Sequence, residues 1–174
     1  MPRLRKMLGS AEHPTVLALM RQMETQSHPT LTRWAVDQAE ALALPVYQAA
    51  HPEDARPAEA LAAVRRFLAG EVSAAALSAP LKAARQPAQE IAEPAAQAAA
   101  RAVATACGAA RTPTSALGFT FYCAAAVVYA QAGVSASPAE HDALADEVFA
   151  GLLVALQAAS VPDEPHPAHL QWGC

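Results

Sequence analysis

Strand-forming residues are scarce in this chain of 174 residues: Ile91 is its single isoleucine, aromatic residues make up 5%, and no stretch alternates apolar and polar positions with a period of two. A β-sheet has little to be built from. Cysteine is sparse as well, and Cys107, Cys123 and Cys174 form an odd set without metal-type spacing. That argues against a disulfide framework or a zinc site and fits a reducing cytoplasm. Basic residues are missing from the last third, since all twelve Lys and Arg lie at or before Arg111 while residues 112–174 carry six carboxylates. With a net charge of −4, nucleic acid is not the expected partner. No Gly-x-Ser-x-Gly elbow, phosphate loop or dinucleotide fingerprint occurs, so the common nucleophile and nucleotide motifs offer nothing. The basic start MPRLRKMLGS is followed by no apolar core of signal-peptide length, so we read no secretion signal.

What the chain has in abundance is alanine, 47 residues of it, within a composition that is 53% hydrophobic. Alanine favours helix and allows helices to approach closely. The expected fold is therefore all-α, a single-domain helical bundle of about six or seven helices over residues 1–160, with an extended or disordered tail at 161–174. After a frayed start, Pro14 can open a first helix whose stripe is Val16, Leu17, Met20 and Met23. A second helix beginning near Thr30 places Leu31, Trp34, Ala35, Gln38 and Leu42 on one side, and Pro45 is expected to kink or end it. The loop His51 to Arg56 leads to Pro57 in the first turn of a third helix, with Leu61, Val64 and Leu68 inward, Arg65 and Arg66 toward water, and Gly70 as its stop.

From Ser73 to Arg111, Pro80, Pro87 and Pro94 predict two helices or one that is repeatedly kinked. Thr112 to Ala139 contains no charged residue and is long enough to cross a bilayer. Its Ala, Ser, Thr and Gln positions, its two internal glycines and the lack of a basic flank at its C-terminal end favour a buried central helix over Ser115 to Ala132, and no membrane partner is expected. The clearest start signal is Ser137-Pro138-Ala139-Glu140, a capping box ahead of a helix with Leu144, Val148, Leu152 and Leu156 inward.

Candidate chemistry is thin. Glu90 and Glu93, and Asp142 and Asp146, could each share a helix face, but neither pair has a histidine at ligand spacing. His166 and His169 stand in a proline-broken tail without a third ligand. We therefore expect no catalytic residues, no metal and no cofactor. A hairpin of the second and third helices would let Arg56 reach Asp37, with Asp54 or Glu53 competing.

The stretch from Leu31 to Ala132 carries a resemblance. Leu31-Thr32-Arg33-Trp34-Ala35-Val36-Asp37 with Ala39-Glu40, then Asp54-Ala55-Arg56-Pro57, Gly70-Glu71 and the terminal Tyr129-Ala130 of the alanine-rich part resemble the immunity-protein-five-like, alanine-rich immunity proteins of bacterial polymorphic toxin systems. The resemblance implies a non-enzymatic binder that neutralises a toxin by covering its surface. Its motif residues Trp34, Asp37, Glu40, Asp54, Arg56, Pro57 and Glu71 read as structural. The acidic last third would suit a basic toxin, with Glu140, Asp142, Asp146 and Glu147 as candidate contacts. Two alternatives stand beside it: a self-associating scaffold or homo-oligomer using the uncharged Ser115 to Ala132 helix, and a small-molecule binder or enzyme with a site near Trp34, Asp37 and Arg56.

Overall fold

The computed structural model describes residues 3–173, so Met1, Pro2 and Cys174 of the expected first and last segments lie outside the described residues. Among the described residues the fold is all-α, with no strand, as the composition dictates. The first run is α1 (Pro14–Met23), which His13 caps by accepting a hydrogen bond from the Thr15 amide. Its buried residues are Val16, Leu19 and Met23, and Leu17, expected inside, faces out.

Helix α2 (His28–Gln38) starts on Ser27, which accepts from the Thr30 amide, and it passes through a π-helical turn (Ala39–Ala43) into α3 (Leu44–Ala50) without a break. Pro45 therefore neither ends nor sharply interrupts the run. A proline crowds the carbonyl four residues earlier, and the wider π turn just upstream moves that carbonyl aside. Trp34 points inward from α2, 1% exposed, with its ring edge-on to Phe119 at 5.9 Å.

Helix α4 (Arg56–Leu68) has Pro57 in its first turn and closes on Gly70, whose φ of +76° favours glycine. There the Gly70 amide donates to Phe67 and the Glu71 amide to Arg66, each at 3.0 Å, so the last carbonyls are satisfied by a Schellman turn. The proline-interrupted stretch resolves into a 3₁₀ turn (Ala74–Leu77), α5 (Ser78–Arg85), α6 (Pro87–Glu90) and α7 (Pro94–Gly108). Pro87 and Pro94 each open a helix, where a missing amide hydrogen costs little.

Helix α7 is the hub. It packs along α8 (Ser115–Ala132) and also touches α2, α3, α4, α5 and α6. This is possible because its inward positions are small: Ala99, Ala100, Ala102, Val103, Ala106 and Cys107 have no exposure, so neighbouring backbones come close on several sides. The uncharged α8, expected to occupy the centre, lies beside it and is half buried. Among the described residues α8 is the one helix long and apolar enough to cross a membrane, yet it exposes only Ala130 and Gln131.

The capping box that starts α9 (Pro138–Ala159) is present as the sequence predicts, Ser137 and Glu140 each bonding the other's amide. Its buried residues are His141, Ala145, Phe149, Leu152 and Leu156, while Leu144 and Val148 are only partly covered. Residues 3–13 are packed against α8 and α9 instead of fraying: Leu8 is fully buried and its amide donates to the Phe121 carbonyl. Gly9 lies so close to Phe149 that a side chain there would collide with the ring. At the other end, 161–173 contains no helix and crosses the junction of α1 and α2. Gln26 holds both the N–H and the C=O of Val161, Thr30 donates to Glu164, and Trp172 donates to Glu24.

Candidate functional site

The strongest concentration of polar bonds is at the turn between α3 and α4, the Asp-Ala-Arg-Pro stretch. Asp54 folds back so that its Oδ1 accepts from the Arg56 amide at 3.1 Å and from Arg56 Nε at 2.9 Å. This closes the turn and satisfies one amide at the start of α4. Its Oδ2 accepts from Arg56 Nη2 at 2.8 Å and from the Tyr47 hydroxyl at 2.5 Å. The far side of the same guanidinium reaches α6, where Nη1 and Nη2 donate to the two Glu90 oxygens at 3.1 and 2.8 Å. Arg56 thus ties the loop and α6 together by a two-sided planar fork, a geometry lysine cannot supply.

The electrostatics follow from these bonds. Arg56 holds the Asp54 carboxyl well below the usual carboxylate range, and it lowers Glu90 as well. Burial, then the bond to Asp54, pushes the Tyr47 hydroxyl above its ordinary value. Across the working pH range Asp54 is a fixed anion and Tyr47 a fixed donor, so neither is set near neutrality for proton exchange. Beside them His51 lies against the Tyr47 ring at 5.3 Å, and its Nε2 is buried without a hydrogen-bond partner among the described residues. Tyr47, His51, Glu53, Asp54, Arg56 and Glu90 line an open cavity of about 560 Å³. Cys107 and Cys123 are fully buried, and burial pushes both thiols up to about 12.

The expected pairing of Asp37 with Arg56 is corrected. The competitor Asp54 takes Arg56, because it is two residues away and already inside the turn, and Glu90 takes what remains. Asp37 is instead held by Arg65 at 2.6 Å, and the same guanidinium holds Glu40 at 2.5 Å. Arg65, expected to face water, is therefore the link between α4 and the α2 run. Glu71 stands 3.6 Å from Arg66. Trp34, Asp37 and Arg56 do not come together, since Trp34 is in the dry core and the other two serve separate ion pairs.

The α9 carboxylates are placed as follows. Glu140 belongs to the capping box, Asp142 pairs with Arg5 at 2.7 Å, Asp146 bonds His13 at 2.7 Å, and Glu147 is exposed. Sequence reasoning missed Tyr47, Glu90, Arg65 and His13 as partners. Only Tyr47 carried a signal, being a bulky hydroxyl one helical turn before the loop.

The described residues contain no cluster of three or more His, Cys, Asp or Glu able to hold a metal ion. Residues 21–148 match the sequence profile of the family described as Imm-5 like putative immunity protein. No curated protein and no solved structure matches the chain.

Proposed function

Because the chain belongs to the Imm-5 like immunity family, we propose that it is a non-enzymatic binder that neutralises a cognate toxin by covering the toxin's working surface. The match over residues 21–148 carries this reading, since it runs from the end of α1 into α9 and takes in α2 to α8 together with the locked loop. The geometry supports it. A protein that works by occlusion gains from a surface that is rigid before the encounter, because less ordering entropy is lost on association. Here the loop is fixed by Asp54, Arg56 and Glu90, and the segments 3–13 and 161–173 are bonded onto the bundle.

In this reading the partner is a basic toxin met in the cytoplasm, and the outward carboxylates of α9 steer it. Charge of one sign on a face raises the association rate in a salt-dependent way. Glu147 is the most informative of the four, because its side chain enters no bond among the described residues, whereas Glu140, Asp142 and Asp146 also serve the fold. Self-association through α8 has little to use, as that helix shows only Ala130 and Gln131 outward.

The test is affinity purification of the tagged chain from the cell that makes it, at low and at high salt, with identification of the co-eluting protein. A single basic protein in stoichiometric amount, weakened by salt and by Glu147→Lys, is the expected result. Recovery of the chain alone, at a size above one copy, would contradict it.

A further inference from the structure

Two adjoining hollows are lined by bases and by no carboxylate. The first, about 260 Å³, lies between the N-terminal segment and α7 and is lined by Arg3, Arg5, Lys6, Arg101, Gln97 and Tyr129. The second, about 350 Å³, lies between α7 and α8 and includes Arg85, Arg101, Thr105, Ser115 and Tyr122. Arg101 stands in the wall of both. Five of the chain's twelve bases are thus gathered here, in a protein with sixteen carboxylates.

Only Arg5 among the five is neutralised, by Asp142 at the edge of the first hollow, and no carboxylate pairs with Arg3, Lys6, Arg85 or Arg101 among the described residues. Elsewhere Arg56, Arg65 and Arg66 are paired with carboxylates, whereas Arg21, Arg33, Lys82 and Arg111 stand singly and are not gathered around a hollow. An unneutralised group of cations with hydroxyl and amide donors around it recognises anionic groups.

We propose that these two hollows form a docking surface for an acidic polypeptide segment, which inserts carboxylate side chains beside Arg101. Charge complementarity selects the occupant's sign. Its class follows from the surroundings: the cationic patch is short and ends at Asp142, next to the carboxylates of α9, so a long phosphate backbone running past it would meet repulsion. A polypeptide with acidic residues in one stretch and basic residues in the next matches both faces. The toxin-binding reading supplies the partner's identity, while the chemistry of the hollows stands independently of it.

The test is a titration of the full ¹⁵N-labelled chain with N-acetyl-hexaglutamate amide at low salt, followed by amide chemical shifts. Saturable shifts grouped at residues 3–6, 97–105 and 115–122, with binding weakened about tenfold in Lys6→Gln/Arg85→Gln, are expected. Both of those side chains are exposed, so the double variant keeps the fold, and Arg21→Gln on α1 is the control that leaves binding unchanged. Shifts scattered over the whole surface, no saturation, or equal loss in the control would overturn the proposal. So would tighter binding at the same residues by a hexauridylate RNA. Because the probe is a synthetic peptide, its failure leaves the toxin reading standing, and failure to recover any toxin leaves the peptide result standing.

Discussion

The contact between α7 and α8 and the turn between α3 and α4 are both rigid, but they are held by different physics. In the first, alanines and Cys107 and Cys123 exclude water, and stability comes from apolar area and close fit. In the second, one guanidinium, two carboxylates and a phenol hold a surface loop by directed bonds. The first should ignore pH and salt and be intolerant of volume. The second should tolerate volume and respond to charge. A protein that must hold one shape while offering a charged exterior needs both.

The largest contrast is in thiol access. With Cys174→Ser, neither Cys107 nor Cys123 should react with a disulfide reagent at pH 8 in the folded chain, and both should react in denaturant. Burial that pushes the thiols up to about 12 lowers the thiolate fraction by roughly a thousandfold relative to an ordinary thiol. Rapid native labelling would show that the α7 and α8 contact is not dry.

Next in size is Phe119→Ala, which removes the partner of Trp34 and leaves a cavity. Denaturant unfolding should show a loss of about 3 to 5 kcal/mol. Enlarging a hub residue comes after it: Ala102→Leu should cost about 1 to 3 kcal/mol, whereas Ala49→Leu on the exposed side of α3 should change little.

Asp54→Asn tests the other region, with an expected loss of about 1 to 3 kcal/mol at neutral pH. Its pH dependence identifies the cause. The folded carboxyl titrates below its unfolded value, so its contribution is fully present above about pH 5 and fades as pH falls through the acid range. The stability gap between the natural chain and Asp54→Asn should therefore close on acidification, while the gap to Phe119→Ala stays constant. The smallest effect is expected for Arg56→Lys, about 1 kcal/mol, because charge is kept and the two-sided fork is lost. If Arg56→Lys were as damaging as Asp54→Asn, geometry and not charge would dominate the loop.

The elements legible in the sequence were those set by near neighbours. The Ser137 capping box, the Gly70 stop and the proline-opened helices depend on residues within a turn of each other, and they stand where the sequence placed them. Pro45 was misleading because the π turn that relieves it has no signature in the residues themselves. The Asp37 and Arg56 pairing failed because Asp54, two residues away inside the turn, and Glu90 on α6 take the Arg56 guanidinium, while Arg65 takes Asp37. The central position of α7 over α8 was hidden for a related reason. Hydrophobicity marks α8, but the hub role goes to the helix with the smallest side chains, which can admit neighbours on every side. The Glu90 end of the Arg56 fork and the anchoring of 161–173 on Gln26 join residues far apart in the chain, and no local pattern announces them.

The proposed binding of a toxin is tested by co-expression. The partner recovered by affinity purification is produced in a susceptible cell alone, with this chain, and with Glu147→Lys, and growth is followed. Arrest by the partner alone, rescue by the natural chain, and weaker rescue by Glu147→Lys are the expected outcomes. Unimpaired growth with the partner alone, or arrest that the chain does not relieve, would contradict the proposal.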